Sequence, residues 1–230
     1  MPELPPILLA GLTGFISGFL LCIPVGPINL TIINEGARRG FGWAALIGLG
    51  ASVMEVIYCT IAFTSFSTFF TANKFLKAGM EVFSFAFMLF LGIKFLMAKT
   101  VAAPIHISRV ADRIEDRIEE KLHPHSAFFT GLVRVMANPG VLLCWIFLAV
   151  YFIARDWVQA DWPSKFACVG GVAASTVIWF VGLSWGVSRG HGKFSEKTLL
   201  RMEHFSGLCL IGMALIHGVR IAYQLAKHKM

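Results

Sequence analysis

Cys22-Ile23-Pro24-Val25-Gly26-Pro27-Ile28-Asn29-Leu30 interrupts an apolar run that extends from Ile7 to Ile33. In water, two prolines, a glycine and an asparagine would simply make a turn. In a bilayer the same cluster is costly, because each proline removes a backbone donor and frees a carbonyl one turn earlier. Broken helices persist in membranes where protein or a water-filled cavity satisfies the freed groups, and there they commonly frame a binding site.

The rest of the chain supports the membrane reading. Of its 230 residues, 57% are hydrophobic and 14% charged, with mean hydropathy +0.72. Soluble domains carry roughly 25% charged residues. At about 20 residues per span, the length holds six or seven helices with short connections and leaves no room for a separate soluble domain. The net charge of +7 comes from lysines and arginines placed between apolar runs, where they meet lipid headgroups. That distribution excludes nucleic acid as a partner. Cys22, Cys59, Cys144, Cys168 and Cys209 all lie inside apolar runs with no metal-ligand spacing. Neither a metal site, a disulfide nor a cofactor is indicated. The N-terminal run has no basic residue before it and no small-x-small cleavage site after it, so it reads as a retained first span.

The expected fold is an all-α integral membrane protein with six spans. They run from about Pro5 to Asn34, Trp43 to Phe70, Leu76 to Ala98, Ala127 to Ala154, Ser164 to Ser188 and Leu199 to Leu225. Glu35 to Gly40 reads as a polar turn. Residues 109–122 read as an amphipathic surface helix, with Val110, Ile114, Ile118 and Leu122 recurring every fourth position. Most of the lysines and arginines fall after spans one, three and five. This puts the long loop 99–126 in the cytoplasm and both termini outside a bacterial-type inner membrane.

Span four carries a second break, Asn138-Pro139-Gly140. Ser17-Gly18 and Thr130-Gly131 each precede a Pro/Gly break by a similar apolar stretch, and Phe90-Leu-Gly-Ile93 resembles Leu210-Ile-Gly-Met213. An odd number of spans per repeat makes the two copies enter from opposite sides. The expected organisation is therefore an inverted-topology pair of three-helix repeats, 1–98 and 127–230, joined by the polar loop 99–126, with both breaks near the midplane.

Pro24-Val-Gly-Pro-Ile-Asn-Leu30, Glu35-Gly-Ala-Arg-Arg-Gly-Phe41, Gly48-Leu-Gly-Ala-Ser-Val-Met-Glu55, Phe90 to Lys94, Gly131 to Pro139 and Phe205 to Gly212 follow one another in a familiar order. Together they resemble the lysine-exporter / homoserine-threonine-exporter (LysE/RhtB) superfamily over nearly the whole chain. The resemblance implies a small inner-membrane secondary transporter that exports amino acids or related metabolites, driven by an ion gradient. Two positions depart from the commoner family pattern. Val25-Gly26-Pro27 stands where many members have Pro-Gly-Pro, and Gly140 stands where many carry a basic residue. Arg134, six residues before Gly140, is a candidate replacement for that charge.

Glu55 is the most pointed residue. A carboxylate at mid-span costs at least about 2.5 kcal/mol to insert, so it must face a cavity or a partner. It can exchange a proton in each cycle, pair with a substrate ammonium, or be neutralised by a neighbour such as Arg134. Tyr58 shares its helical face and either hydrogen-bonds the carboxylate or packs. Asn29 and Asn138 either hold a ligand or satisfy carbonyls freed by Pro27 and Pro139. Pro24, Gly26, Pro27 and Pro139 shape the breaks, and half-helix amides after Pro27 favour an anionic group. Asn34, Glu35 and Arg134 are candidate entrance residues, though capping and interfacial anchoring explain the first two equally well. Glu81 reads as solvated, while His217 and Arg220 read as packing and headgroup residues. Trp43, Trp157 and Trp162 suit the interfacial belt, and Trp145 and Trp179 suit deeper packing. Gly14/Gly18 and Gly182/Gly186/Gly190 predict close helix contacts; a homodimer is a reasonable expectation for so small a bundle.

The resulting expectation is proton-coupled export of a small zwitterion by alternating access. A channel or a non-transporting scaffold on the same fold is the alternative. An intramembrane enzyme is disfavoured, since Ser184, His217 and Glu55 lie on different spans with no catalytic motif around them.

Overall fold

The computed structural model describes residues 5–23, 26–66, 74–98, 126–189 and 196–227. The expected surface helix 109–122, Pro24, and the side chains of Glu81, His217 and Arg220 lie outside the described residues. Those residues form eight helices and no strand. The helices are α1 (Pro6–Cys22), α2 (Pro27–Arg39), α3 (Phe41–Ile61), α4 (Lys74–Leu96), α5 (Ser126–Met136), α6 (Pro139–Ala154), α7 (Trp162–Arg189) and α8 (Glu196–Lys227). A π-helical turn, Ala62–Phe66, continues α3.

Two helices, Phe41–Ser65 and Trp162–Arg189, are each long and apolar enough to cross a membrane. The pairs α1/α2 and α5/α6 pass the same criterion when each is taken as one bent span, with bends of 70° and 64°. Helices α4 and α8 contribute shorter apolar stretches, Phe85–Leu96 and Glu203–Ile216. The chain is thus a multi-pass helical membrane protein.

Both breaks fall at proline, where local chemistry demands them. Pro27 and Pro139 occupy the first turn of α2 and α6, the place in a helix where a missing N–H leaves nothing unpaired. The polar turn expected at Glu35–Gly40 contracts to Gly40 alone. Glu35 pairs with Arg38 at 3.3 Å and with Arg39 at 2.9 Å, one helical turn on. Those arginines also suit the negative end of the helix, so α2 continues to Arg39. Gly40 then takes φ +85°, which a side chain would resist. At the start of α7, the Asp161 carboxylate accepts from the Ser164 amide at 2.8 Å and its hydroxyl at 3.0 Å, and this cap starts the helix at Trp162.

Helix α1 packs against α7, α5 against α3 and α4 against α8, and α3 also packs against α7. The first three contacts are backbone to backbone. A Cβ at Gly14 would overlap the Cys168 carbonyl, and one at Gly131 would overlap that of Ile47. Gly92 and Gly207 face each other across α4 and α8 in the same way. Gly18 also sits tightly, against Val172 and Ser175. Two glycines behave otherwise than their spacing suggests. Gly182 looks onto open space, as does Gly212, the residue aligned with Gly92 in the sequence repeat. The core gathers along α3 and α6, where Trp145, Ala149, Val150, Ala51 and Cys59 are wholly buried. Cations lie over aromatic rings near helix ends: Arg39 over Trp43, Lys165 over Trp162 and Arg189 over Trp185. This is the pattern expected where a bundle leaves the hydrocarbon. Trp157 differs, being half-buried and packed on Tyr151 and Phe152.

Candidate functional site

Where α1 stops, the Cys22 carbonyl loses its helical partner. Asn29 on α2 supplies a replacement: its Nδ2 donates to the Cys22 oxygen at 2.7 Å. The Asn29 side chain is only 2% exposed, and its Oδ1 accepts from the Trp179 indole of α7 at 3.3 Å. Trp179 in turn stands edge-on to Phe19 of α1, with centroids 5.4 Å apart. One amide therefore ties the end of α1, the start of α2 and the middle of α7 together. Gly26, extended at φ −86°, precedes Pro27, and no side chain caps the first amides of α2 among the described residues.

The second break is closed by other means. Asn138 is the N-cap of α6, and its Oδ1 accepts from the Gly140 amide at 3.2 Å. Gly140 suits this fold-over, because a Cβ there would come within 3.1 Å of that oxygen. The carbonyl of Met136, the last residue of α5, accepts from the Tyr58 hydroxyl at 3.0 Å. Tyr58 thus turns to the freed backbone of the second break and not to the carboxylate one turn before it.

Glu55 lies on the same face of α3 and is 7% exposed. Its Oε2 accepts from the Trp145 indole N–H at 2.6 Å, and Trp145 is completely buried. Arg134 is half-buried on the last turn of α5. Among the described residues, the hydrogen-bond partner of Glu55 is the indole and not that guanidinium. Helix α3, which carries Glu55, packs against α2 of the first bent pair and against α5 and α6 of the second. Glu55 therefore stands between the two breaks, close to both.

The structure thus buries Asn29, Glu55 and Tyr58 beside the two breaks, where Pro27 and Asn138 are half-buried and Pro139 is exposed. It sets Asn34 and Glu35 apart. They lie five and six residues beyond Asn29, about 8–9 Å along α2. Asn34 is exposed, and Glu35 is engaged with Arg38 and Arg39. Two of the hydrogen-bond partners, Trp145 and Trp179, read in the sequence as deep packing residues. A buried indole needs an acceptor for its N–H, and a lone mid-span carboxylate needs a donor. That pairing was the available clue. Among the described residues, no group of three His, Cys, Asp or Glu side chains converges to hold a metal ion.

A carboxylate and an amide are thus buried beside two helix breaks, an arrangement that recurs in membrane transport proteins. The chain belongs to the LysE type translocator family, whose model matches residues 19–219. It is therefore a translocator and not an enzyme. It is also 25% identical, over 213 residues, to the "Putative amino acid efflux protein YcgF" of Bacillus subtilis (strain 168). That alignment covers 93% of this chain and 95% of the relative. No solved structure gives a significant match.

Proposed function

We propose that this protein exports an amino acid or a related zwitterion across the inner membrane, by proton-coupled alternating access. The observation that carries this reading is Glu55, a carboxylate buried between two broken spans and tied to a residue of the opposite half of the chain. The substrate ammonium is assigned to Glu55. The substrate carboxylate is assigned to the start of α2, whose amides have no side-chain cap among the described residues and sit at the positive end of a half-helix. Asn29, Asn138 and Tyr58 hold the break geometry around them, and Glu55 is the group that exchanges the proton. The name of the Bacillus subtilis relative supports amino-acid efflux.

The six spans are read as two inverted three-helix repeats with both termini outside. The packing supports this. Exchanging the first three spans with the last three turns the α1–α7 contact into the α5–α3 contact and leaves α4–α8 and α3–α7 unchanged. The partners of the breaks exchange too, since Trp179 of α7 serves the first and Tyr58 of α3 the second.

The test is efflux from proteoliposomes loaded with the twenty standard amino acids, with and without an imposed pH gradient. Saturable efflux that the gradient accelerates is expected for wild type. Glu55→Gln is expected to lower it by about two orders of magnitude and to remove the gradient dependence, as loss of a buried charge partner would. Saturable transport in Glu55→Gln with the proton dependence intact removes Glu55 from coupling. Flux that never saturates replaces the exporter with a channel.

A further inference from the structure

We infer that the Trp145 indole is a displaceable substitute for the substrate ammonium, so that binding exchanges one donor for another on Glu55 and releases α6. This rests on the proposed role of Glu55 as the ammonium site. Trp145 Nε1 donates to Glu55 Oε2 at 2.6 Å and so occupies an acceptor position that a cationic donor would otherwise take. Both side chains are buried, Trp145 wholly and Glu55 to 7% exposure. The neighbouring candidate donor is engaged elsewhere, since the Tyr58 hydroxyl is given to Met136.

The exchange has the right sign. An indole offers a single neutral N–H, whereas an ammonium offers three donors on a full charge. An ammonium also brings a full opposite charge against the carboxylate, a Coulombic attraction that the neutral indole lacks. Until a solute arrives, the indole spares the carboxylate the penalty of a buried acceptor left unmet. Once displaced, it leaves α6 without its polar tie to α3. Helix α3 is anchored by backbone contact with α5 at Gly50 and Gly131, whereas α6 begins at the Asn138-Pro139 break and meets α5 at 64°. A ligand can move a helix only through interactions that differ between the two positions, and this exchange is such a difference. Trp179 has no equivalent role, because it donates to a neutral amide over a longer 3.3 Å.

Proteoliposome efflux is measured with the fastest standard amino acid and with its 2-hydroxy acid, which lacks the ammonium. In Trp145→Phe the KM for the amino acid is expected to fall about tenfold, as the competing donor is gone, with no such fall for the hydroxy acid. Trp145→His retains a ring N–H and is expected to bring KM back toward wild type. An unchanged or raised KM in Trp145→Phe, or a Trp145→His variant indistinguishable from it, overturns the inference. A second readout needs only the folded wild type. With 5-fluorotryptophan incorporated, one fluorine resonance shifts on adding the amino acid and not the hydroxy acid, and Glu55→Gln abolishes the shift. No shift overturns the inference. Saturable, Glu55-dependent efflux without these effects sinks the inference alone. Absence of saturable efflux sinks the proposed function as well.

Discussion

The two helix breaks solve the same problem with opposite connections. In the first, a residue beyond the break reaches back: Asn29 of α2 takes the Cys22 carbonyl of α1, so the two half-helices are bound to each other. In the second, Asn138 looks forward and caps its own half-helix. The carbonyl left behind at Met136 is taken by Tyr58 of α3. Helix α6 is tied to α3 as well, through Trp145 and Glu55. The halves of the first break are therefore linked directly, while those of the second are linked through a third helix. The second break is the one whose halves can part when a single buried contact changes, and that contact involves the buried carboxylate of Glu55.

If this contrast is right, the largest stability loss belongs to Asn29→Ala. It strands the Cys22 carbonyl and the Trp179 N–H together, and thermal unfolding in detergent should show a loss of about 3 kcal/mol. Asn29→Asp, which keeps an acceptor for Trp179 but not the donor to Cys22, should recover part of it. Equal behaviour of Asn29→Ala and Asn138→Ala would erase the distinction between the breaks. Tyr58→Phe removes one hydrogen bond and leaves one carbonyl unmet, an expected loss of about 1.5 kcal/mol by the same measurement. Its efflux should retain the pH-gradient dependence, because the hydroxyl does not touch Glu55; losing that dependence would join the two roles. Asn138→Ala removes a helix cap, for about 1 kcal/mol, and Asn138→Asp should be nearly neutral.

The smallest effect lies outside both breaks. The Ser164 amide, donating to the Asp161 carboxylate at the head of α7, is the main influence holding that carboxylate below its ordinary range. A carboxylate depressed on folding contributes stability above its unfolded pKa, and the contribution is lost as pH falls through the folded value. The wild type should therefore melt slightly above Asp161→Asn at neutral pH, and the gap should close under acid. A gap that grows on acidification would contradict the cap.

What could be read from the chain alone followed from effects that act within a few residues. Proline cannot donate a backbone hydrogen bond, so the starts of α2 and α6 were visible at Pro27 and Pro139. The length of apolar runs announced membrane helices before any contact was known. A mid-span carboxylate announced a polar centre, because hydrocarbon cannot solvate it. Even here side-chain pairing overrides one local signal, since the Glu35–Arg38–Arg39 pairs extend α2 through a stretch that reads as a turn.

Which groups answer one another is a different matter. Trp145 is 90 residues from Glu55, and Tyr58 is 78 from Met136. Nothing local distinguishes the glycine at 131, pressed against Ile47, from the one at 182, which faces open space. Periodicity gives the face of a helix but not the neighbour across it. The sequence by itself determined that this protein lives in a bilayer, that two of its helices break, and that polar groups gather near the breaks. Only the tertiary structure decided that Asn29 closes the first break, that Tyr58 serves the second, and that an indole meets the carboxylate. Those choices depend on the distance between atoms far apart in the chain, and only close packing of the helices sets it.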